Sequence, residues 1–245
     1  MASKQKTNQT VRLATPEMLR QIWAIVLQAL PTRLTFAQAQ YWIGHGVELA
    51  KKIRAIFAVV DPYREQIAAW EKFYHDELGI TVDLSGLAVP DRKPGFGWLI
   101  VVVPGVTIEM VLAAMKKRFK VWRWTSENLD EQMAEGGRSA ANGSYAIWVR
   151  DCTEADEEHK GKSHDDLQGK VVGITLLEYA LLHLKHFTET KTHLDSSNIT
   201  LCTGLLCRDG SVPLGYWSVD DGAFFVYGYH RDGADGDLRT REAVV

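Results

Sequence analysis

Apolar positions recur at helical spacing through the first third of the chain. Thr15-Pro16 supplies a side-chain cap and a proline at the first helical position. Leu19, Ile22, Trp23, Val26, Ala29 and Leu30 follow on one face up to Pro31. A second helix starts near Thr35 and runs towards Pro62, with a break at Gly44-His45-Gly46. A third covers Tyr63 to Leu78, with Ile67, Trp70, Phe73, Tyr74 and Leu78 on one side and Gly79 as its stop. Residues 1–14 read as a flexible tail and residues 15–86 as a helical region. The aromatic-rich faces predict packing on the rest of the chain or self-association into a homo-oligomer. Their polar sides are not rich in Lys and Arg, as an interfacial membrane helix would require.

The pattern then changes. Leu87 to Gly97 carries Pro90, Pro94, Gly95 and Gly97, and marks a boundary. Trp98 to Val103 is a continuous, β-branched run and predicts a buried strand. Pro104-Gly105 turns the chain into a helix from about Thr107 to Phe119. Ser144 to Arg150 predicts another strand, in which Tyr145, Ile147 and Val149 alternate with Ala146 and Trp148. Residues 151–170, polar and acidic, read as a solvated loop. Thr175-x-x-Glu178 is a capping box that opens a helix with the stripe Leu176, Tyr179, Ala180, Leu182, Leu184 and Phe187. From Ile199 onward short strands alternate with Gly, Asp and Pro. Residues 87–245 are therefore expected to form an α+β domain.

One of these late strands has two readings. In Gly222 to Tyr229, Phe224, Val226 and Gly228 share a face, and Phe225, Tyr227 and Tyr229 share the other. If one face is core and the other meets solvent, three neighbouring aromatics form the kind of apolar patch that marks an interaction site. If both are covered, this is a strand of a two-sided sheet.

Composition narrows the function classes. The 245-residue chain has a net charge of −3, without the basic stripe of a nucleic-acid binder. No apolar run reaches membrane-spanning length, and the polar N-terminus lacks a signal peptide. The expectation is a cytoplasmic protein, with surface display by an unknown route still open. Cys152, Cys202 and Cys207 match no common zinc spacing and read as reduced thiols. His183 and His186 share a helix face but lack further ligands and the H-E-x-x-H pattern. His159, His164, Asp165 and Asp166 belong to the acidic loop. Asp232 to Asp237 misses the glycine and terminal glutamate of a calcium loop. No base, nucleophile and orienting group assemble, so the expectation is no enzyme, no metal and no cofactor. The competing reading is an enzyme or metal-binding sensor around His183, His186 and the acidic loop.

The alphabet itself carries the strongest signal. Lys, Glu, Gln and Met occur 42 times in residues 1–191 and not once in the fifty residues from Thr192 to Arg241. A turn-rich, exposed region should use Lys and Glu freely. Packing does not explain the gap, but the genetic code does: codons ending in a pyrimidine cannot encode Lys, Glu, Gln, Met or Trp. A segment whose variable positions were written with such codons would show this restriction, with Trp217 as a fixed position.

With that bias, the C-terminal segment from Gly210 to Val245 resembles the variable proteins of diversity-generating retroelements. In that family an error-prone reverse transcriptase mutates adenines of a template repeat, and the copy replaces the 3′ end of the gene. The resemblance implies a C-type-lectin-like domain over residues 87–245, with a variable region at about 205–241 on its exposed face. It implies a non-enzymatic binding protein with a protein as ligand. Val212-Pro213, Trp217, Leu238, Arg239 and Arg241 look like framework, Trp217 as a buried one. The diversified, ligand-binding set is Tyr216, Ser218, Val219, Asp220, Asp221, Phe225, Tyr227, Tyr229, His230, Arg231, Asp232 and Asp235. Rigid aromatic rings beside Ser, Gly and Asp give the chemistry of paratopes.

Overall fold

The computed structural model describes residues 15–31, 33–58 and 62–245. The tail expected at residues 1–14 lies outside them. The chain divides into two units, Met1–Glu65 and Gln66–Val245. The first contains helices α1 (Pro16–Ala29), α2 (Phe36–Gly44) and α3 (Gly46–Ala58). Thr15 caps α1, Thr35 and Gln38 form a capping box on α2, and the chain breaks between Gly44 and Gly46 as the glycines foretell. No residue of α1 or α2 is buried, so Trp23, Ile25 and Leu27 stand exposed. Among the described residues no helix is long and apolar enough to cross a membrane.

The second unit is mixed α+β. It opens within α4 (Arg64–Phe73), continued by a wide turn at Tyr74–Leu78 and stopped by Gly79 at a φ of 69°. Strand β1 (Trp98–Val102) and strand β3 (Tyr145–Val149) form an antiparallel pair. The indole of Trp70 donates to Leu99 O at 2.8 Å, and the Tyr74 hydroxyl donates to Val101 O at 2.6 Å. These anchors draw α4 into the second unit, so the division falls at Glu65 rather than at the proline-rich stretch after residue 86.

A five-stranded sheet follows the order β2-β6-β5-β4-β7, from β2 (Lys120–Arg123), β4 (Ile199–Leu201), β5 (Val212–Ser218), β6 (Ala223–Tyr229) and β7 (Leu238–Arg239). β2–β6 and β4–β7 are parallel; β6–β5 and β5–β4 are antiparallel. Helices α5 (Ile108–Lys116), α6 (Leu129–Gln132), α7 (His164–Leu167) and α8 (Leu176–Thr190) complete the unit. α8 packs against both β1 and β5. Its capping residue Glu178 is fully buried, which is sustained by two hydrogen bonds from Arg138 at 2.6 and 2.7 Å and one from the Tyr145 hydroxyl at 2.9 Å. After β7 the C-terminal segment returns to the first sheet, where Val244 pairs with Trp148.

The back of the large sheet meets α8 closely. A Cβ on Gly215 would lie 2.5 Å from a ring carbon of the fully buried Tyr179. Gly215→Ala is therefore expected to destabilise the unit by about 1–3 kcal/mol through overpacking, read from urea unfolding. An unchanged midpoint would show that Tyr179 can yield.

Candidate ligand-binding face

β6 alternates as its sequence foretells, and its two faces differ. Phe224 and Val226 are fully buried, Phe224 against Tyr179 and His183 of α8, whereas Phe225 and Tyr229 are half-buried and Tyr227 is 46% exposed. The strand is therefore not covered on both sides. Register extends the open face sideways. Phe225 pairs with Tyr216 on β5 and with Trp122 on β2, making one row of three rings across three strands. Tyr216 and Phe225 stack with centroids 5.3 Å apart at 17°, Phe225 and Trp122 at 5.1 Å and 30°, and Trp122 and Tyr227 at 5.8 Å and 12°. Leu214, Val212, Leu201 and Leu238 form a small buried cluster beside this row, and Tyr216 and Tyr229 lean on it. The rings are thus fixed at one end and open at the other. Offset stacking adds to the area each ring presents and limits its rotamers.

The remaining expected site residues fall into two further groups. Ser218, Val219, Asp220 and Asp221 form the β5–β6 turn, where the Ser218 hydroxyl donates to Asp221 at 2.6 Å and Val219 is 67% exposed. Tyr229 ends β6 at its other end, and His230, Arg231, Asp232 and Asp235 lie past it. There the Tyr229 hydroxyl donates to Asp235, and the exposed Arg231 pairs with Asp165 at 2.7 Å. The twelve positions are half-buried or exposed, but they do not converge on one point. They border a face whose centre is the aromatic row.

The framework positions behave differently from one another. Arg239 is buried and gives both Nε and Nη2 to Glu157 at 2.9 and 2.7 Å. Arg241 is fully buried on Asp195. Trp217, expected in the core, is only half-buried. It stacks on His193 at 3.3 Å and 4°, and meets Phe119 edge-on. The reason is register: Trp217 pairs with Phe224 near the end of β5, where the back face is covered by Phe119 and His193 rather than by α8 alone.

Trp122 was missed in the sequence. It lies on a four-residue strand flanked by Lys120 and Arg123, and its signal was the alternation Lys-Val-Trp-Arg-Trp.

No protein family, curated protein or solved structure matches the chain.

The histidine reading has a different outcome. His183 and His186 do not share a site. His183 is fully buried and its Nε2 lies 3.1 Å from His193 Nδ1, while His186 Nε2 bonds the Thr192 hydroxyl at 3.0 Å. The acidic loop is not simply solvated either. His159 and His164 are buried, and residues 164–167 form α7 under a Ser163–Asp166 capping box. A cavity of about 300 Å³ near the end of β1 is lined by Val103, Ile108, Met133, Arg138 and Tyr145, but its arginine is already held by Glu178.

Burial pushes His193 down to about 4, with His186 adding to the shift; burial likewise holds His183 well below its ordinary value. A depressed histidine is neutral in the fold while the unfolded chain takes up the proton. Stability is therefore complete above about pH 6.5 and declines as pH falls towards 4. Thermal unfolding across that window should show the decline, and His193→Phe, which keeps the stacking on Trp217, should flatten it. An equal slope in both chains would contradict the assignment.

Proposed function

We propose that this chain is a non-enzymatic binding protein that presents the open face of its large sheet to a protein ligand. The observation that carries the reading is the stacked row Trp122–Phe225–Tyr216 with Tyr227, half-buried to exposed across three strands, of which β6 has its other side in the core. Such a row is an apolar patch with rigid, amphipathic rings, the chemistry that concentrates binding energy at protein interfaces. Around it the restricted alphabet supplies Ser, Asp, Arg and His, which tune complementarity.

In this reading the second unit is a C-type-lectin-like scaffold and residues 205–241 are written by a diversity-generating retroelement. Buried Leu238, Arg239 and Arg241 hold the segment's end, while the positions read as diversified are solvent-accessible. Division of labour of this kind lets side chains change without loss of the fold. Self-association through the first unit belongs to the same reading, supported by the exposed Trp23, Ile25 and Leu27 of α1. Equilibrium sedimentation of the full chain tests that part.

The binding proposal is tested by exchange of the exposed positions. Replacing Ser218, Val219, Asp220, His230 and Asp232 together with other residues of the same alphabet should leave the melting temperature within a few degrees and change which proteins are bound. Loss of folding on such exchange would contradict it.

A further inference from the structure

The acidic loop holds a cluster of polar side chains far from simple solvation. Asp156, Glu158 and His159 each offer a ligand atom within 4.8 Å of the others, and among the described residues they are the only such group of three. Asp156 and His159 are buried, and Glu158 is exposed. Glu242 enters from the C-terminal segment, with its carboxylate 3.9 Å from His159 Nε2 and its backbone N–H donating to Asp156 at 2.7 Å.

His159 is the feature that sets this cluster apart from an ordinary acidic loop. It is 6% exposed, yet neither ring nitrogen has a hydrogen-bond partner. Buried polar atoms are ordinarily satisfied, and an exception requires a reason. Here the unpartnered imidazole is directed at three carboxylates. Two cations already serve them: Arg150, stacked on Phe96 at 4.4 Å, approaches Asp156 at 3.5 Å and Glu242 at 3.4 Å and pairs with Glu158, and Lys93 Nζ lies 3.7 Å from Glu242. Arginine can only donate, so it satisfies the carboxylates and leaves His159 without a partner.

We propose that Asp156, Glu158 and His159 bind a divalent transition-metal ion of the zinc class, with Glu242 closing the site. One imidazole nitrogen and several carboxylate oxygens match the donor preferences of such an ion. Calcium takes oxygen donors and would give His159 no role. The exposed Glu158 exchanges Arg150 for the metal, while Arg150 keeps the Phe96 ring. The ion ties the acidic loop to the C-terminal segment, which the loop already meets through Asp156 N–H to Thr240 O at 3.3 Å and Gly161 N–H to Leu238 O at 2.9 Å.

Calorimetric titration of the untagged, chelator-treated full chain with ZnCl2 tests the site. The expected result is a single one-to-one event that is at least tenfold weaker in both His159→Ala and Glu158→Gln, and unchanged in His193→Ala. Zinc should also raise the melting temperature of the wild type and not of the first two variants. If His159→Ala fails to fold, the exposed Glu158→Gln decides. Absence of one-to-one binding, or wild-type affinity in either loop variant, overturns the proposal; loss in His193→Ala alone assigns the zinc to the His183–His193 pair and overturns it equally.

Discussion

Replacing Arg241 with alanine is expected to cost the fold about 3–5 kcal/mol, the range for removing one partner of a buried ion pair. The guanidinium is fully buried and uses three of its nitrogens. It donates to Cys152 O and Thr153 O at 2.8 Å, to Asp195 Oδ1 at 2.9 Å and to the Thr200 hydroxyl at 3.3 Å. Without it, the Cys152 carbonyl loses its donor, the Thr153 carbonyl is left with the Asp195 N–H, and the Asp195 carboxylate keeps the Thr200 hydroxyl at 2.7 Å. Asp195 cannot swing out to water. Its backbone sits at a φ of 52°, its N–H donates to Thr153 O at 3.0 Å, and its carbonyl accepts from Trp217 N–H at 3.0 Å. Lysine should rescue only part, because a single ammonium cannot serve acceptors spread around a planar fork. Urea unfolding should show a lower midpoint with an unchanged slope; a loss below about 1 kcal/mol would mean that water replaces the guanidinium.

Truncating Trp122 should have the largest effect on binding. A library that writes the twelve positions of the expected binding set with pyrimidine-ended codons, displayed on the intact scaffold and selected against one unrelated test protein, should yield folded binders. In such binders Trp122→Ala is expected to weaken affinity by about 2 kcal/mol or more, roughly thirtyfold, as for a central aromatic anchor. Trp122 is 42% exposed and stacked on Phe225 and Tyr227, so its loss removes area from the face and frees two neighbouring rings. The melting temperature should move little by comparison. Equal affinity with alanine at 122 would place the binding surface at the turns and not on the sheet.

The elements legible in the sequence are those whose local signals agree with their packing. The Thr175–Glu178 box starts α8 where the stripe begins, and the β-branched run at Trp98 is a strand buried in full but for its first residue. What escaped depended on distant partners. β2 is too short and too charged to announce itself, and becomes a strand only by pairing parallel with β6. His159 and His164 sit in a run whose composition says solvent, and are buried because the loop bonds Thr240, Leu238 and Arg231 of the C-terminal segment. Trp217 shows the converse. As the fixed position in the restricted alphabet it is expected in the core, yet its ring sits half-open at the margin of the sheet over His193. Of the candidate face, Tyr216, Phe225 and Tyr227 were readable from alternation and alphabet; that Trp122 completes their row was a matter of tertiary register.

The most direct measurement of the central claim is the DNA sequence of the gene's 3′ end and its surroundings. Codons for Tyr, Phe, Asp and His end in a pyrimidine by necessity, so the informative positions are those with a free third base, such as Ser218, Val219 and Arg231. A diversified binding face predicts pyrimidines there, and a nearby near-copy that differs almost only at adenines beside a reverse transcriptase gene. Purine-ended codons at these positions, or a locus without such a copy, would contradict it.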